Sequence, residues 1–337
     1  MFQKLTDKTS RVSVVAVLAI ALGLVGCSEK PQASNPIPES RATNLPKVVA
    51  TTGVICDITK EIAASSIDTI CLIKPGDDPH AYQTKPEDRK AIETGNLILY
   101  AGYDHEPSII KLIQSTTNSA PKIAVHQLAV PKPLMGEHEH EAEHKTAAKP
   151  HEAGEKVPDP HVWHNPQNGI RMVEVIRDEL KKVAPNNAEI YTTSSAKLIA
   201  DLQKLDTWIQ AQIATIPQAK RKLVTTHDAL SYYANAYGFE VAGALQGVTT
   251  EEQPTAARIA ELSSEIKRAG VPTIFVESTT NPKLMETVAR EANVKISDKE
   301  LYSDELGAPG SGADTYEGML KSNTCAIVSG LGGNCTP

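Results

Sequence analysis

The chain has 337 residues, a formal net charge of -7, 40% apolar and only 4% aromatic residues. This composition excludes collagen-like, disordered and polytopic membrane proteins, and the absence of a basic block argues against a nucleic-acid-binding protein. The length favours two packed domains over one. Ten histidines are present, and they are distributed unevenly along the chain.

An export signal precedes the fold. Basic residues lead into the apolar run Val12–Val25, which is too short to span a bilayer comfortably and stops at Gly26-Cys27. The ending resembles a bacterial lipobox, in which Cys27 is lipidated, although an ordinary signal peptide with a chance cysteine is the alternative. We therefore expect residues 1–26 to be a lipoprotein signal peptide and 27–46 a disordered, proline-rich tether. The protein should be exported to the periplasm or the cell surface and held to a membrane by its lipid.

Strand-like and helical segments alternate from Lys47 onward, which predicts a mostly parallel sheet covered by helices on both faces. The expected strands are Lys47–Thr52, Ile67–Ile73, Leu97–Tyr100 and Lys122–Val125, and the expected helices are Asp57–Ala64, a segment from Pro86, and Pro107–Ser115. This first α/β lobe should occupy residues 47–165.

A low-complexity insert, residues 136–156, interrupts the first lobe. It contains His138, His140, His144 and His151 among glutamates and no large apolar side chain. We expect a solvated loop, because such a segment has little surface to bury. Its imidazoles are candidates for a weak accessory metal site, and a dispensable charged insertion is the alternative.

Two amphipathic helices, Gly169–Val183 and Asn187–Ile216, follow and should link the lobes across residues 166–216. A second α/β block, residues 217–337, then repeats the first scheme. Its expected strands are Leu223–Thr226, Phe239–Leu245, Thr273–Val276 and Val294–Ile296, and its expected helices are Ala229–Tyr237, Ala257–Ala269, Pro282–Glu291 and Asp314–Leu331. The predicted fold class is therefore α/β, with two lobes joined by a rigid long helix.

Four cysteines remain after Cys27, and an even number in an exported protein suggests disulfides. Proximity in sequence favours Cys325–Cys335, which leaves Cys56–Cys71, but three connectivities are possible. Metal ligation is the rival interpretation, and the spacings match no usual zinc pattern.

Three histidines and one aspartate occupy positions where open parallel sheets bind ligands, in turns or directly after strands. They are His80 in Asp78-Pro79-His80, His161 in Asp159-Pro160-His161, His227 after a strand, and Asp304 after the last short strand. The prolines restrict the backbone before two of the histidines, and Asp78 and Asp159 are candidates to orient the imidazoles. Any one of these residues alone has an ordinary structural explanation, but the set spans both lobes.

At these residues the sequence resembles a known family, the TroA-like metal-binding substrate-binding proteins of zinc and manganese ABC importers. The stretches that carry the resemblance are Asp78–Tyr82, Asp159–Trp163, Thr225–Ala229 with Tyr237-Gly238, Ile274–Ser278 and Tyr302–Gly307. The resemblance implies a metal ion in the cleft between the lobes, with His80, His161, His227 and Asp304 as ligands. It also implies that Glu277 supports the site, and that His227 stands where the manganese-binding branch often has Glu. The chain departs from the family pattern around His105, which we expect to be a loop residue near the cleft, and we assign no ligand role to His126 or His164.

Three imidazoles and one carboxylate favour Zn²⁺ as the bound cargo over Mn²⁺, because manganese prefers oxygen ligands. The expected function is capture of Zn²⁺ and its delivery to the membrane permease and ATPase of an ABC importer, by a protein that is monomeric and not an enzyme. A periplasmic zinc hydrolase and an adhesin-like lipoprotein are the less favoured alternatives. Four protein ligands leave no open position for a hydrolytic water, and no hydrolase motif is present.

Overall fold

The computed structural model of the protein describes residues 45–138, 155–251 and 253–336. The predicted signal peptide, Cys27 and almost all of the tether lie outside these residues, as do His140, His144 and His151. Pro46, predicted as the end of the tether, already belongs to the fold, because its carbonyl accepts a hydrogen bond from the Asp68 N–H. No helix in the described part of the chain is long and apolar enough to cross a membrane.

The first lobe is a four-stranded parallel sheet with the order β2-β1-β3-β4. Its strands are β1 Lys47–Ala50, β2 Asp68–Cys71, β3 Leu97–Tyr100 and β4 Lys122–Ala124, and its helices are α1 Gly53–Ala63, α2 Pro86–Thr94, α3 Pro107–Ser115 and α4 Val125–Ala129. The central strand is apolar on both faces because helices cover both, and Val48, Val49 and Ala50 are fully buried. The predicted βαβα order is confirmed.

An antiparallel hairpin carries the insert, which corrects the prediction of an unpacked loop over 136–156 at both of its ends. Strand β5 (Met135–His138) pairs with β6 (Glu155–Pro158). Gly136 is buried, and a Cβ at this position would lie 2.1 Å from Val248 Cγ1, so the hairpin packs closely against the second lobe. The composition of the segment predicts that it is solvated, but composition carries no information about backbone hydrogen bonds between its two ends.

Two long helices link the lobes, α5 (Pro166–Val183) and α6 (Ala188–Ile213). Helix α5 begins three residues before its predicted start, because Pro166 occupies the first turn and the Asn165 side chain accepts the Gln167 N–H. Helix α6 packs against α1, α5 and the last helix of the chain. Its predicted apolar stripe is buried along its whole length, at Leu198, Leu202, Leu205, Ile209 and Ile213.

The second lobe contains two parallel strand pairs, which the Phe275 N–H joins by donating to the Val224 carbonyl. The strands are β7 Lys222–His227, β8 Glu240–Gln246, β9 Thr273–Ile274 and β10 Lys295–Ile296, and the helices are α7 Ser231–Tyr237, α8 Ala256–Ala269, α9 Pro282–Ala292 and α10 Tyr316–Gly330. The predicted α/β fold class is confirmed.

Contacts distant in sequence tie the lobes together. The Glu305 carboxylate accepts the Gly53 N–H at the start of α1 at 2.7 Å, and the Asp57 carboxylate accepts the Tyr316 N–H at the start of α10, also at 2.7 Å. One apolar core runs from Val48 in the first lobe through α6 to Leu320 in the second. Helix α1 begins at Gly53 rather than near Asp57 because the Gly53 N–H at its N-terminus has this partner from the other lobe.

The disulfides are Cys56–Cys71 and Cys325–Cys335, with Cα atoms 5.7 and 5.2 Å apart. This is the favoured pairing of the three that the sequence left open. Each lobe carries one disulfide, and none of these four cysteines is available as a metal ligand.

Candidate metal site

His161 lies between β6 and α5, with its ring oriented by Asp159. The Asp159 Oδ1 atom is 2.8 Å from His161 Nδ1 and accepts the His161 backbone N–H at 2.9 Å. The contact assigns a ring proton to Nδ1, since the Asp159 oxygen already accepts from the backbone, and it leaves Nε2 facing the cleft. Both side chains are fully buried.

His227 ends strand β7 and has the same arrangement on the other side of the cleft. Its Nδ1 atom makes a short hydrogen bond to Glu277 Oε2, while Glu277 Oε1 accepts the N–H groups of Thr226 and His227 at 3.0 and 3.1 Å. The carboxylate thus fixes both the backbone and the ring. Its Nε2 atom faces the cleft and lies 3.2 Å from His161 Nε2.

His80 lies in the loop between β2 and α2 and is held by its backbone rather than its ring. Asp78 Oδ1 accepts the His80 N–H at 3.0 Å, and Asp78 Oδ2 accepts a short hydrogen bond from Thr250 Oγ1 of the second lobe. Asp78 therefore positions the loop across the cleft, whereas no hydrogen-bond partner among the described residues reaches His80 Nδ1.

Asp304 follows the Glu277–Leu301 bridge, and the two oxygens of its carboxylate have different contacts. Oδ2 accepts from Thr279 Oγ1 at 3.1 Å and from Ser303 Oγ at 3.2 Å. Oδ1 has no hydrogen-bond donor among the described residues, and it points toward the imidazoles.

The four predicted ligands converge on one buried point. Oδ1 of Asp304 is 3.6 Å from His80 Nε2 and 3.3 Å from both His161 Nε2 and His227 Nε2, and the Nε2 atoms of His80 and His161 are 3.3 Å apart. Four donors placed about 2.0–2.1 Å from a central zinc ion in a regular tetrahedron would be about 3.3–3.4 Å apart. Five of the six spacings among the four atoms are therefore close to those of donors to one small cation.

The site is electrostatically coupled. Burial alone would lower the pKa of His227, but the carboxylates of Asp304 and Glu277 outweigh it and raise that pKa well above its ordinary value. Burial alone would raise the pKa of Asp304, but the positive charge on His227 and the imidazoles that face its Oδ1 atom hold it well below its usual range. These opposite shifts favour a buried imidazolium–carboxylate pair between His227 and Asp304.

Three further histidines are fully buried nearby. His164 Nε2 is bonded to the Ser303 carbonyl at 2.8 Å, so it holds the Asp304 loop in place. His126 lies behind Trp163, with ring centroids 5.1 Å apart. His105 is different, because one of its ring nitrogens lies within 4.8 Å of a donor atom of each of His80, His161 and Asp304. Sequence reasoning left His105 out, although it follows the end of β3, the same kind of position as the other candidates.

The chain is similar to metal-binding proteins along most of its length. The profile of the family described as ZnuA, zinc-uptake complex component A, periplasmic, matches residues 48–330. The manganese-binding lipoprotein MntA of Halalkalibacterium halodurans is 30% identical over 315 residues, covering 94% of this chain and 96% of that protein. The manganese ABC transporter substrate-binding lipoprotein PsaA of Streptococcus pneumoniae serotype 4 is 32% identical over 291 residues, covering 85% of this chain and 89% of that protein.

Solved structures show the same similarity. The periplasmic zinc binding protein TroA from Treponema pallidum superimposes with a TM-score of 0.76 at 31% identity, covering 85% of this chain and 99% of that one. A Mn-bound periplasmic metal binding protein from Candidatus Liberibacter asiaticus superimposes with a TM-score of 0.72 at 25% identity. The names of these proteins divide between zinc and manganese.

Proposed function

The chain belongs to the family of periplasmic zinc-uptake component A proteins, and from this premise we propose that it captures Zn²⁺ in its cleft and delivers the ion to an ABC importer. Family members are extracytoplasmic substrate-binding components of ABC transporters and not enzymes. The alternative of a zinc hydrolase is thereby set aside. A divalent metal ion is the cargo of the family, and the choice of ion is the part that we propose.

We propose His80, His161, His227 and Asp304 as the ligands. The observation that carries this proposal is the convergence of their donor atoms in a buried site, where five of the six donor-to-donor distances lie between 3.2 and 3.6 Å. Asp159 and Glu277 would act by fixing the rings so that the two Nε2 lone pairs face the ion. Asp78 would act on the His80 loop through its backbone.

Zinc is favoured by the chemistry of the donors. Three imidazole nitrogens and one carboxylate oxygen make a nitrogen-rich set, and zinc binds such sites more tightly than manganese does. Manganese is the second candidate, and the names of the relatives MntA and PsaA favour it. The two ions differ in ligand preference, so the donors of this chain can be tested directly.

The remaining features follow from the same role. We propose that Cys27 carries the lipid anchor, that the protein works as a monomer, and that the lobes occupy residues 47–165 and 217–337 with 166–216 as their connection. The permease and ATPase of the importer are its partners, as the name of an ABC transporter substrate-binding relative implies. The insert histidines, including His138, would serve as a weak accessory site.

Metal analysis of the protein purified without added metal, combined with competitive titration of Zn²⁺ against Mn²⁺, tests the proposal. We expect one ion per chain and a higher affinity for Zn²⁺. A higher affinity for Mn²⁺ would replace the proposed cargo while leaving the transport role in place. Absence of binding of either ion would overturn both.

A further inference from the structure

His105 is held in the site by an unusual turn. Tyr103 and Asp104 both have φ of 54°, a left-handed conformation that costs free energy for residues other than glycine, and they follow Gly102 with φ of 88°. The turn is fixed at both ends. The His105 N–H donates to the Gly102 carbonyl at 3.2 Å, and the Glu106 carboxylate accepts from Ala101 N at 2.7 Å.

The ring of His105 is fully buried, and neither of its nitrogens has a hydrogen-bond partner among the described residues. A buried polar group without a partner is costly unless something else satisfies it. The ring packs edge-on against His80, with centroids 4.8 Å apart, and also against His161, with centroids 5.6 Å apart. It therefore brings an uncommitted imidazole to the donor atoms already described.

The other two unassigned histidines lack this combination. His164 already uses its Nε2 atom on the Ser303 carbonyl. His126 is equally buried and its ring centroid is 6.1 Å from that of His105, but its nitrogens are not part of the group that converges with Asp304. His105 alone among the three can supply a lone pair to a cation in the cleft.

We propose that His105 completes a three-imidazole half-site on the first lobe, with His80 and His161, that holds the ion without the donors of the second lobe. All three side chains come from loops that precede the linking helices. The first lobe can therefore bind a cation before His227 and Asp304 coordinate it, or keep the cation bound after His227 and Asp304 have dissociated from it. An all-imidazole half-site also adds selectivity, because imidazole suits zinc better than manganese. This inference rests on the proposed function, because it assumes that the cleft binds a metal ion.

The test uses the full chain with His138, His140, His144 and His151 replaced by Asn, so that the insert cannot bind metal. In this background, His227→Ala and Asp304→Ala together remove the second-lobe donors. Zn²⁺ affinity is measured by competition with a chromophoric chelator, and Co²⁺ absorption reports imidazole ligation. His105→Leu and the matched control His126→Leu are then each added, with thermal unfolding in the presence of EDTA as the check on folding.

We expect the double variant to retain one weakly bound Zn²⁺. His105→Leu should lower this residual Zn²⁺ affinity by more than about tenfold, since loss of a residue that only supports a metal ligand already costs about 10- to 100-fold. His126→Leu should change the same affinity by less than about twofold. If His105→Leu fails to fold, His105→Gln in the same background should give the same loss.

The half-site is overturned if the double variant binds no Zn²⁺. It is also overturned if His105→Leu leaves the residual Zn²⁺ affinity unchanged, or if His126→Leu lowers that affinity as much as His105→Leu does. The parent chain separates the two proposals, because its failure to bind any metal would refute the proposed function itself.

Discussion

The first lobe presents three imidazoles as candidate donors, with the carboxylates of Asp78 and Asp159 behind them, whereas the second lobe presents one imidazole and the carboxylate of Asp304, with Glu277 behind. Nitrogen donors are thus concentrated on one side of the site, and the carboxylate donor is on the other. A divalent cation needs both, because uncharged imidazoles give affinity for zinc while a buried cation also needs compensating charge. This distribution of donors between the lobes means that a complete site forms only when the two lobes face one another.

The contacts between the lobes fit this requirement. Burial raises the pKa of Glu305 well above its ordinary value, although the Gly53 N–H that it accepts acts in the opposite direction. Together with the Asp57–Tyr316 contact and the continuous core along α6, this carboxyl group, next to Asp304 in the chain, connects the lobes. We therefore expect ion binding to rearrange loops rather than to swing the lobes apart.

The largest expected effect comes from the charge of the second lobe. Asp304→Asn keeps the shape of the side chain but removes the negative charge that faces three imidazoles, so Zn²⁺ affinity should fall by more than about 100-fold. The measurement is chelator competition at constant pH. Asp314→Asn is the matched control, since Asp314 is exposed and should change affinity by less than about twofold. An Asp304→Asn protein that binds Zn²⁺ as the parent does would mean that the carboxylate is not a ligand.

The second-largest expected effect comes from a comparison of a change in the cleft with a change in the insert. His227→Ala should weaken Zn²⁺ binding far more than replacing residues 139–154 by an Asn-Gly turn, which preserves the β5–β6 hairpin. We expect a loss of more than about 100-fold for the first change, beyond the 10–100-fold typical of residues around a metal site, and a small one for the second. Both affinities are measured in the same titration. Equal losses would move the main site to the insert.

Protons should compete with the ion. Carboxylates raise the pKa of His227 well above its ordinary value despite its burial, so they favour the protonated ring when no ion is bound. The ion must displace this proton, so affinity rises with pH, by about tenfold per pH unit for each proton displaced. Titrations between pH 5 and pH 8 should show this slope in the parent and a shallower one in His227→Ala. A flat profile in the parent would argue against a histidine-rich site.

The smallest effect concerns the overall shape. Since α6 and the cross-lobe contacts hold the lobes together, Zn²⁺ should leave the radius of gyration from small-angle scattering nearly unchanged. Amide hydrogen exchange on the same samples should slow in the loops around His80 and Asp304. A large decrease in radius of gyration on adding Zn²⁺ would contradict the rigid connection.

Most of the fold was predictable because its signals are local. The apolar stripe of α6, from Leu198 to Ile213, and the alternation of buried strands and helices depend on spacing within one element. The family was predictable for a related reason, since its motifs lie at strand ends, and the comparisons confirm it. The preference for zinc within that family stays a prediction.

What sequence reasoning missed depends on residues far apart in the chain. The start of α1 at Gly53 is set by Glu305, 252 positions away, and the hairpin below the insert packs on Val248 of the other lobe. His105 was set aside because its motif departs from the family pattern. Its role as a candidate donor is visible only once the turn at Tyr103-Asp104 places its ring against His80.

A crystal structure of the Zn²⁺-loaded protein, with the ion located by anomalous scattering at the zinc edge, tests the central claim most directly. We predict one ion bonded to Nε2 of His80, His161 and His227 and to Oδ1 of Asp304, at about 2.0–2.2 Å from each. An ion bound elsewhere, with these four atoms bonded only to protein or water, would contradict it.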